Sequence, residues 1–143
     1  MYNDPRSHGL WEKTAPQPPV TPALQGSAVA AVVIVGGGFT GQSAALHLAE
    51  RGVDVVLLEA KDIGFGGAGR NVGLINGGMW VMPRELPGVL GEVYGERLLG
   101  LLGDAPLLVR TLVEKHEIPC EIEKNGTLHC AVGEKGLTEI RER

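Results

Sequence analysis

The most constraining feature of the chain is a continuous apolar run that ends in a cluster of glycines. Residues 29–35 carry apolar, mainly β-branched side chains without polar alternation. This pattern is typical of a strand that is buried on both faces of a parallel sheet. The run stops at three consecutive glycines, residues 36–38. The sequence therefore predicts a buried strand that ends at a sharp turn.

A helix and a second strand follow these glycines. Apolar residues recur at helical spacing over residues 40–51, and Gly52 stands where such a helix would end. A second apolar run, residues 53–58, ends in Glu59. Strand, turn, helix and strand within so short a segment predict a βαβ unit. The predicted fold class is therefore α/β, with a Rossmann-like, doubly wound parallel sheet.

The glycines follow the pattern of a dinucleotide-binding turn. Gly36 permits the tight turn, Gly38 lets the backbone approach a pyrophosphate, and Gly41 lets the helix pack close to the strand. Glu59, 23 residues after the first glycine, is placed to accept hydrogen bonds from a ribose diol. Its charge disfavours a 2′-phosphate, so the pattern indicates NAD or FAD rather than NADP. The alternative is a purely structural turn beside a solvated carboxylate.

The segment that follows Glu59 is rich in glycine. Residues 63–73 read Ile-Gly-Phe-Gly-Gly-Ala-Gly-Arg-Asn-Val-Gly. Together with the preceding glycines and acid, it resembles the D-amino-acid-oxidase-like FAD-dependent oxidoreductases, the glycine oxidase and γ-glutamylputrescine oxidoreductase group. Those proteins carry a loop similar to Gly-Ala-Ser-Gly-Arg-Asn-x-Gly after the ribose-binding acid. The resemblance implies that the loop lies along the FAD pyrophosphate and reaches the flavin, whereas a flexible surface loop is the alternative.

The loop departs from the related loops in one position and lacks a residue that some of them use. Ala68 stands where they often carry Ser, so a hydrogen bond to the cofactor, worth about 0.5–1.5 kcal/mol, is expected to be lost. Some relatives attach flavin through a His of this loop, whereas the nearest residue here is Arg70. FAD is therefore expected to bind non-covalently, with Arg70 supplying a charge for a phosphate. The predicted cofactor-binding residues are Gly36, Gly37, Gly38, Phe39, Thr40, Gly41, Glu59, Ala60, Gly69, Arg70, Asn71 and Gly73.

The resemblance also implies an activity. Members of the group oxidise the C–N bond of a small-molecule amine or amino acid, and they are much longer than this chain. The chain is therefore expected to be the N-terminal FAD-binding part of such an enzyme, inactive alone, and no catalytic residue is assigned. One alternative is a nucleotide-binding subunit of a hetero-oligomeric oxidase, which completes its site with another chain. Another is a non-catalytic module that binds NAD or ADP. The open edge of the predicted sheet also indicates a companion chain or self-association.

Composition excludes several other classes of protein. The chain has 13 Lys and Arg against 17 Asp and Glu, a formal net charge of −4, which disfavours a nucleic-acid partner. The longest apolar run is too short to span a membrane, and no secretory signal precedes it. A soluble, cytoplasmic protein is therefore expected. Two Cys and four scattered His lack the spacing of metal ligands, so no metal is expected.

The sequence divides into three predicted regions. Residues 1–27 contain five prolines and read as an extended arm, which Trp11 either pins to the body or leaves mobile. Residues 28–82 form the FAD-binding βαβ unit and the glycine-rich loop. Residues 83–143 begin an α+β substrate domain with a helical segment and a β-hairpin. Neither His47 nor His116 has a partner in the sequence that would indicate catalysis.

The third region contains three predicted elements. Apolar positions between Leu90 and Leu102 fit one face of a helix, and a second helix is predicted to begin at Asp104, its N-cap. Residues 120–123 and 127–132 flank a turn at residues 124–126 and predict a β-hairpin. In one register of that hairpin, Cys120 lies opposite Cys130 on the apolar face. The cysteines are then interpreted as buried free thiols.

Overall fold

The computed structural model describes residues 10–79 and 81–142. Contacts within the chain divide it into two compact units, Met1–Val72 and Gly73–Arg143. The first unit contains the predicted strand-turn-helix-strand segment, and the second is mainly helical. The boundary predicted between residues 82 and 83 falls inside the second unit.

The first unit is built on a two-stranded parallel sheet. Strand β1 spans Val32–Val35, helix α2 spans Phe39–Ala49, and strand β2 spans Val55–Leu58. The strands pair in parallel, with Val32 beside Val55 and Val35 beside Leu58. The remaining elements of this unit are helix α1, Leu10–Thr14, and a 3-10 turn, Ala68–Arg70. The predicted βαβ unit is therefore formed.

Helix α2 ends where the sequence predicts. Gly52 adopts a φ of +74° and its N–H bonds to the Ala49 carbonyl at 2.9 Å. The Val53 N–H then bonds to the Leu48 carbonyl at 3.1 Å. Because these bonds satisfy the last carbonyls of the helix with a glycine in the left-handed region, the chain can turn directly into β2.

The strands are less buried than their apolar sequence predicts. Helix α2 packs against both strands, and at Gly41 it lies close to the Ile34 side chain. Since side chains alternate along a strand, Val33 and Val35 point to the opposite face, where they are 54% and 84% exposed. The expectation of burial on both faces is wrong for the described residues, because none of their elements covers this face.

The arm contains one short packed element. Residues 16–25 have no helix or strand, as expected of an extended arm, but α1 precedes them. The Trp11 Nε1–H donates to the Asn71 carbonyl at 2.7 Å. Of the two alternatives for Trp11, the structure therefore supports the anchored one, with the indole half-exposed against the 3-10 turn of the same unit.

The second unit is organised by two helices that pack together. Residues Pro83–Glu85 form a 3-10 turn that leads into α3, Leu86–Leu90, and α4 spans Glu92–Lys115. Leu86 is only 3% exposed. Gly95 lets α4 approach α3, because a Cβ at this position would lie 2.5 Å from the Pro87 Cα. Helix α5, Gly133–Glu142, ends the described chain.

Helix α4 runs through the predicted boundary between two helices. It continues past Asp104 and contains Pro106, so the prediction of a new helix with its N-cap at Asp104 is wrong. Proline has no N–H, and Pro106 therefore leaves the Leu102 carbonyl without its helical donor. The backbone of Gly77 lies close to this carbonyl, since a Cβ at Gly77 would be 2.9 Å from it. One missing bond does not end a helix of 24 residues.

The predicted β-hairpin is not formed. Residues 118–132 contain no strand, although Gly126 has the expected positive φ, +81°. Lys124 bonds instead to Glu114 at 2.6 Å, and Thr127 pairs with Asn76 at 2.8 Å. An isolated hairpin is only marginally stable in water, and the described residues offer it no further strand. Both cysteines are exposed, so the prediction of buried thiols is also wrong.

Candidate functional site

The candidate site begins at the turn that follows β1. The Gly36 N–H bonds to the Leu58 carbonyl at 2.8 Å, and Gly36 adopts a φ of +106°, which residues with a side chain rarely tolerate. At Gly41 a Cβ would lie 1.9 Å from the Gly36 carbonyl oxygen. The absence of side chains at these two positions therefore allows α2 to begin immediately beside the end of β1.

The N–H and carbonyl groups of Gly37 bond to three other segments of the first unit. Its N–H donates to Glu59 Oε2 at 2.7 Å. Its carbonyl accepts the Gly64 N–H at 3.0 Å and the Gln42 Nε2–H at 2.8 Å. Gly37 is buried, whereas Glu59 is half-buried and Gln42 is exposed, so these bonds satisfy peptide groups that are partly shielded from water. Sequence reasoning missed Gln42, because it occupies a position that the glycine pattern leaves unspecified.

Glu59 is held in a fixed orientation by backbone donors. Besides the bond from Gly37, its Oε1 accepts the Lys61 N–H at 3.0 Å. The bond from Gly37, followed by those from Lys61 and Ala60, lowers the pKa of Glu59 below its usual value. The carboxylate is therefore ionised at neutral pH. A carboxylate has about four acceptor positions, so it retains capacity for hydroxyl donors from a ligand.

A cavity of about 360 Å³ lies beside this carboxylate. That volume falls within the range of small-molecule sites, roughly 300–1,000 Å³. A Cβ at Gly38 would meet nothing within 4 Å, so the backbone faces open space at the start of α2. The residues that line the cavity are Gly38, Glu59, Ala60, Lys61, Phe65, Gly66, Gly67 and Ala68.

The glycine-rich loop is folded by bonds of its own. The Gly69 N–H donates to the Gly64 carbonyl at 2.8 Å, and a Cβ at Gly69 would lie 2.5 Å from that oxygen. The Arg70 guanidinium lies 5.5 Å from the centre of the Phe65 ring, within the range of a cation–π interaction. The Asn71 side chain bonds to the Ala68 carbonyl. These bonds give the loop a defined course along one side of the cavity.

The structure brings some of the predicted residues together. Gly37 bonds to Glu59, and Gly38, Glu59 and Ala60 line the cavity, whereas Phe39 and Thr40 are exposed at the start of α2. Residues 69–71 belong to the same unit, whereas Gly73 belongs to the second unit. Ala68 lines the cavity, so the position where related loops often carry Ser lies at the cavity wall.

The described ranges, 10–79 and 81–142, contain few other groups that indicate a function. They contain no group of three or more His, Cys, Asp or Glu that could hold a metal ion. None of their helices has both the length and the hydropathy needed to cross a membrane. His47 Nδ1 lies 3.2 Å from Glu50 Oε2, a pairing between neighbouring turns of α2. This contact accounts for His47 without a catalytic role.

Comparison with known proteins gives one family. The family model described as FAD-dependent oxidoreductase (DAO) matches residues 31–143. A probable oxidoreductase OrdL of Rhizobium meliloti is 40% identical over 122 residues, covering 84% of this chain and 28% of the relative. The γ-glutamylputrescine oxidoreductase of Escherichia coli is 40% identical over 117 residues, covering 78% and 26%.

A third relative shares a shorter segment. A glycerol-3-phosphate dehydrogenase of Mycobacterium leprae is 38% identical over 81 residues, which cover 57% of this chain and 14% of the relative. The chain thus spans little more than a quarter of the length of the relatives that match it over most of its residues. No solved structure matches the chain.

Proposed function

We propose that this chain is the FAD-binding N-terminal part of an enzyme that oxidises an amine or amino acid. The chain belongs to the family of FAD-dependent oxidoreductases. The observation that carries this proposal is the Glu59 carboxylate, which two backbone N–H groups hold at the edge of a cavity. An ionised acceptor in a fixed orientation suits a hydroxyl of the ribose diol, because the carboxylate keeps an acceptor position beyond those its backbone donors use.

The start of α2 suits the diphosphate of the cofactor. The first N–H groups of a helix have no partner within it, and the helix dipole favours negative charge there. Gly38 precedes α2 and lines the same cavity as Glu59. We assign the diphosphate to the backbone of residues 37–41, with Gly69, Arg70 and Asn71 of the same unit extending the site towards the flavin. The cofactor is held non-covalently, since the loop carries Arg70 and no His.

When bound, FAD supplies the two-electron acceptor for oxidation of the substrate. The residues of this chain bind and orient the adenylate and diphosphate portions. We propose an amine or amino acid as substrate because one relative that covers most of this chain is named for γ-glutamylputrescine. Proteins named for glycerol-3-phosphate share the shorter segment. That distribution is consistent with cofactor binding in this segment and substrate selection elsewhere, so we expect the chain alone to oxidise no amine.

The exposed face of the sheet supports a second polypeptide as partner. Val33 and Val35 are apolar and largely exposed on the face opposite α2. Strands of parallel sheets are normally covered on both faces, and unpaired edges accept further strands. We propose that a companion chain, or a second copy of this one, pairs with the open edge of this two-stranded sheet. Light scattering of the purified chain tests self-association: a strictly monomeric chain at high concentration would exclude the second copy.

Titration of the chain with FAD, followed by flavin fluorescence, tests the proposed cofactor. We expect saturable binding that Glu59→Gln weakens roughly tenfold or more, because a neutral amide replaces the ionised acceptor of the ribose hydroxyls. Gly38→Val should abolish binding, since its side chain fills space that the diphosphate needs. His47→Ala, on the outside of α2, is the matched control and should bind as the unaltered chain does.

Competition separates the proposal from its alternatives. If NAD or ADP displaces FAD at equal concentration, the chain is a general nucleotide-binding module. If FAD binds equally well to the unaltered chain and to both site variants, the site lies elsewhere and the proposal is wrong. Acid precipitation of the loaded chain tests the mode of attachment, because a non-covalent flavin is released into the supernatant.

A further inference from the structure

We infer that Gln42 is a positioning residue for the diphosphate of the cofactor, acting through the peptide that joins Gly37 to Gly38. The inference rests on the proposed FAD site and adds a residue that the glycine pattern does not specify. The inference is based on two hydrogen bonds that Gln42 donates. Its side-chain Nε2–H donates to the Gly37 carbonyl at 2.8 Å, and its backbone N–H donates to the Gly38 carbonyl at 3.0 Å.

The Gly37 carbonyl has no freedom to turn without losing bonds. A carbonyl oxygen has two lone pairs, and here one accepts from Gln42 and the other from the Gly64 N–H at 3.0 Å. Gly37 is buried and Gln42 is exposed, so removing the Gln42 amide leaves the Gly64 N–H as the remaining protein donor to this partly shielded carbonyl. Glycine backbones otherwise sample many conformations. The Gln42 side chain therefore supplies a restraint that the three glycines of the turn lack.

Because the Gly37 carbonyl is held in one orientation, the N–H of Gly38 is held as well. The peptide between Gly37 and Gly38 is planar and trans, so the Gly38 N–H points away from the Gly37 carbonyl. Gly38 precedes the first turn of α2 and lines the cavity beside Glu59. The ligand group suited to an oriented N–H at a helix start is a phosphate oxygen. Gln42 thus acts on diphosphate binding without touching the ligand.

Two variants of Gln42 and one matched control test this role. Gln42→Met keeps the length of the side chain but removes the donor, and Gln42→Glu places a carboxylate against the Gly37 carbonyl. Gln25→Met is the same substitution in the arm, where Gln25 is exposed and bonds to the nearby Ala23 carbonyl. Calorimetric titration with FAD, ADP and adenosine then separates the diphosphate from the ribose.

We expect Gln42→Met to weaken binding of FAD and ADP roughly threefold to tenfold, the effect of one neutral hydrogen bond. Gln42→Glu should weaken both further, because two oxygen acceptors then face each other. Adenosine, which has no phosphate, should bind all three forms equally, since the bond from Gly37 to Glu59 remains. Gln25→Met should bind all ligands as the unaltered chain does.

Three results would overturn the inference in distinguishable ways. If Gln42→Met binds FAD as tightly as the unaltered chain, Gln42 has no positioning role, and the proposed FAD site stands. If adenosine weakens as much as ADP, Gln42 supports only the general fold of the unit. If the unaltered chain itself binds no FAD while circular dichroism shows it folded, the proposed function fails and the inference fails with it.

Discussion

The Glu59 carboxylate accepts the Gly37 N–H at 2.7 Å and so joins the end of β2 to the turn that follows β1. The two residues are 22 positions apart in the sequence. The same carboxylate is the acceptor that we propose for the ribose. The bond therefore stabilises the fold in the absence of a ligand. It also holds the remaining acceptor positions of the Glu59 carboxylate in a fixed orientation.

Glu59 should make the stability of the chain depend on pH. Its pKa is lowered chiefly by the Gly37 N–H, so the folded state favours the ionised form. The resulting stability is fully present above the unfolded pKa, about 4.3, and is lost as pH falls through the lower folded value. We expect the chain to be more stable than Glu59→Gln at pH 7, with a difference that shrinks as the pH falls below the unfolded pKa.

Urea denaturation of both proteins across this pH range measures the difference. Glu114, whose pKa Lys124 lowers, contributes equally to both and cancels in the comparison. A difference that stays constant from pH 7 to pH 3 would show that the Glu59 carboxylate gains nothing from ionisation in the folded state.

Substitution of Gly38 should weaken FAD binding, whereas substitution of Gly41 should lower the stability of the fold. A Cβ at Gly41 would lie 1.9 Å from the Gly36 carbonyl oxygen, so Gly41→Ala must displace α2, at a cost of about 1–3 kcal/mol. A Cβ at Gly38 meets nothing within 4 Å, and its φ of −82° suits any residue. We expect Gly38→Ala to fold with nearly unchanged stability and to bind FAD more weakly.

Thermal unfolding and FAD titration of the same two variants provide the check. Equal losses of stability in both would contradict the assigned roles, since only Gly41 lies against the backbone of another segment.

Two glycines of helix α4 should respond to alanine with opposite signs. Gly100 is exposed and a Cβ there meets nothing, so Gly100→Ala should stabilise the chain by about 0.5–1 kcal/mol through helix propensity. At Gly95 a Cβ would lie 2.5 Å from the Pro87 Cα, so Gly95→Ala should separate α3 from α4 and destabilise. Denaturant midpoints distinguish the two, and stabilisation by both would show that α3 does not pack on Gly95.

The parts of the fold that could be predicted from sequence are those with local causes. A β-branched run, a glycine that must adopt positive φ and an apolar helical face act within a few residues, and they predicted β1, α2 and β2. The position of Glu59 also follows from local spacing. Gln42 could not be found in this way, because its bond to Gly37 depends on how the turn is oriented after folding.

The wrong predictions concern segments whose structure depends on surrounding residues rather than on local sequence. The pattern near Asp104 is typical of a helix start, yet α4 already extends through it, because the single donor missing at Pro106 does not end a helix of 24 residues. The alternating pattern of residues 120–132 is compatible with a hairpin. A hairpin requires a further surface to be stable, and the described residues of the second unit bond to this segment through side chains instead.

The exposure of the two cysteines gives the last prediction. Cys120 and Cys130 lie in the segment where the hairpin is not formed, and both are exposed. We expect a thiol-specific disulfide reagent to modify both thiols in the folded chain without denaturant, because access limits the reaction of buried thiols. Cys120→Ser and Cys130→Ser should each leave one reactive thiol, which shows that the two sites react independently. If the folded chain reacts only after denaturant is added, both thiols are buried, as a β-hairpin with the cysteines on its apolar face predicts.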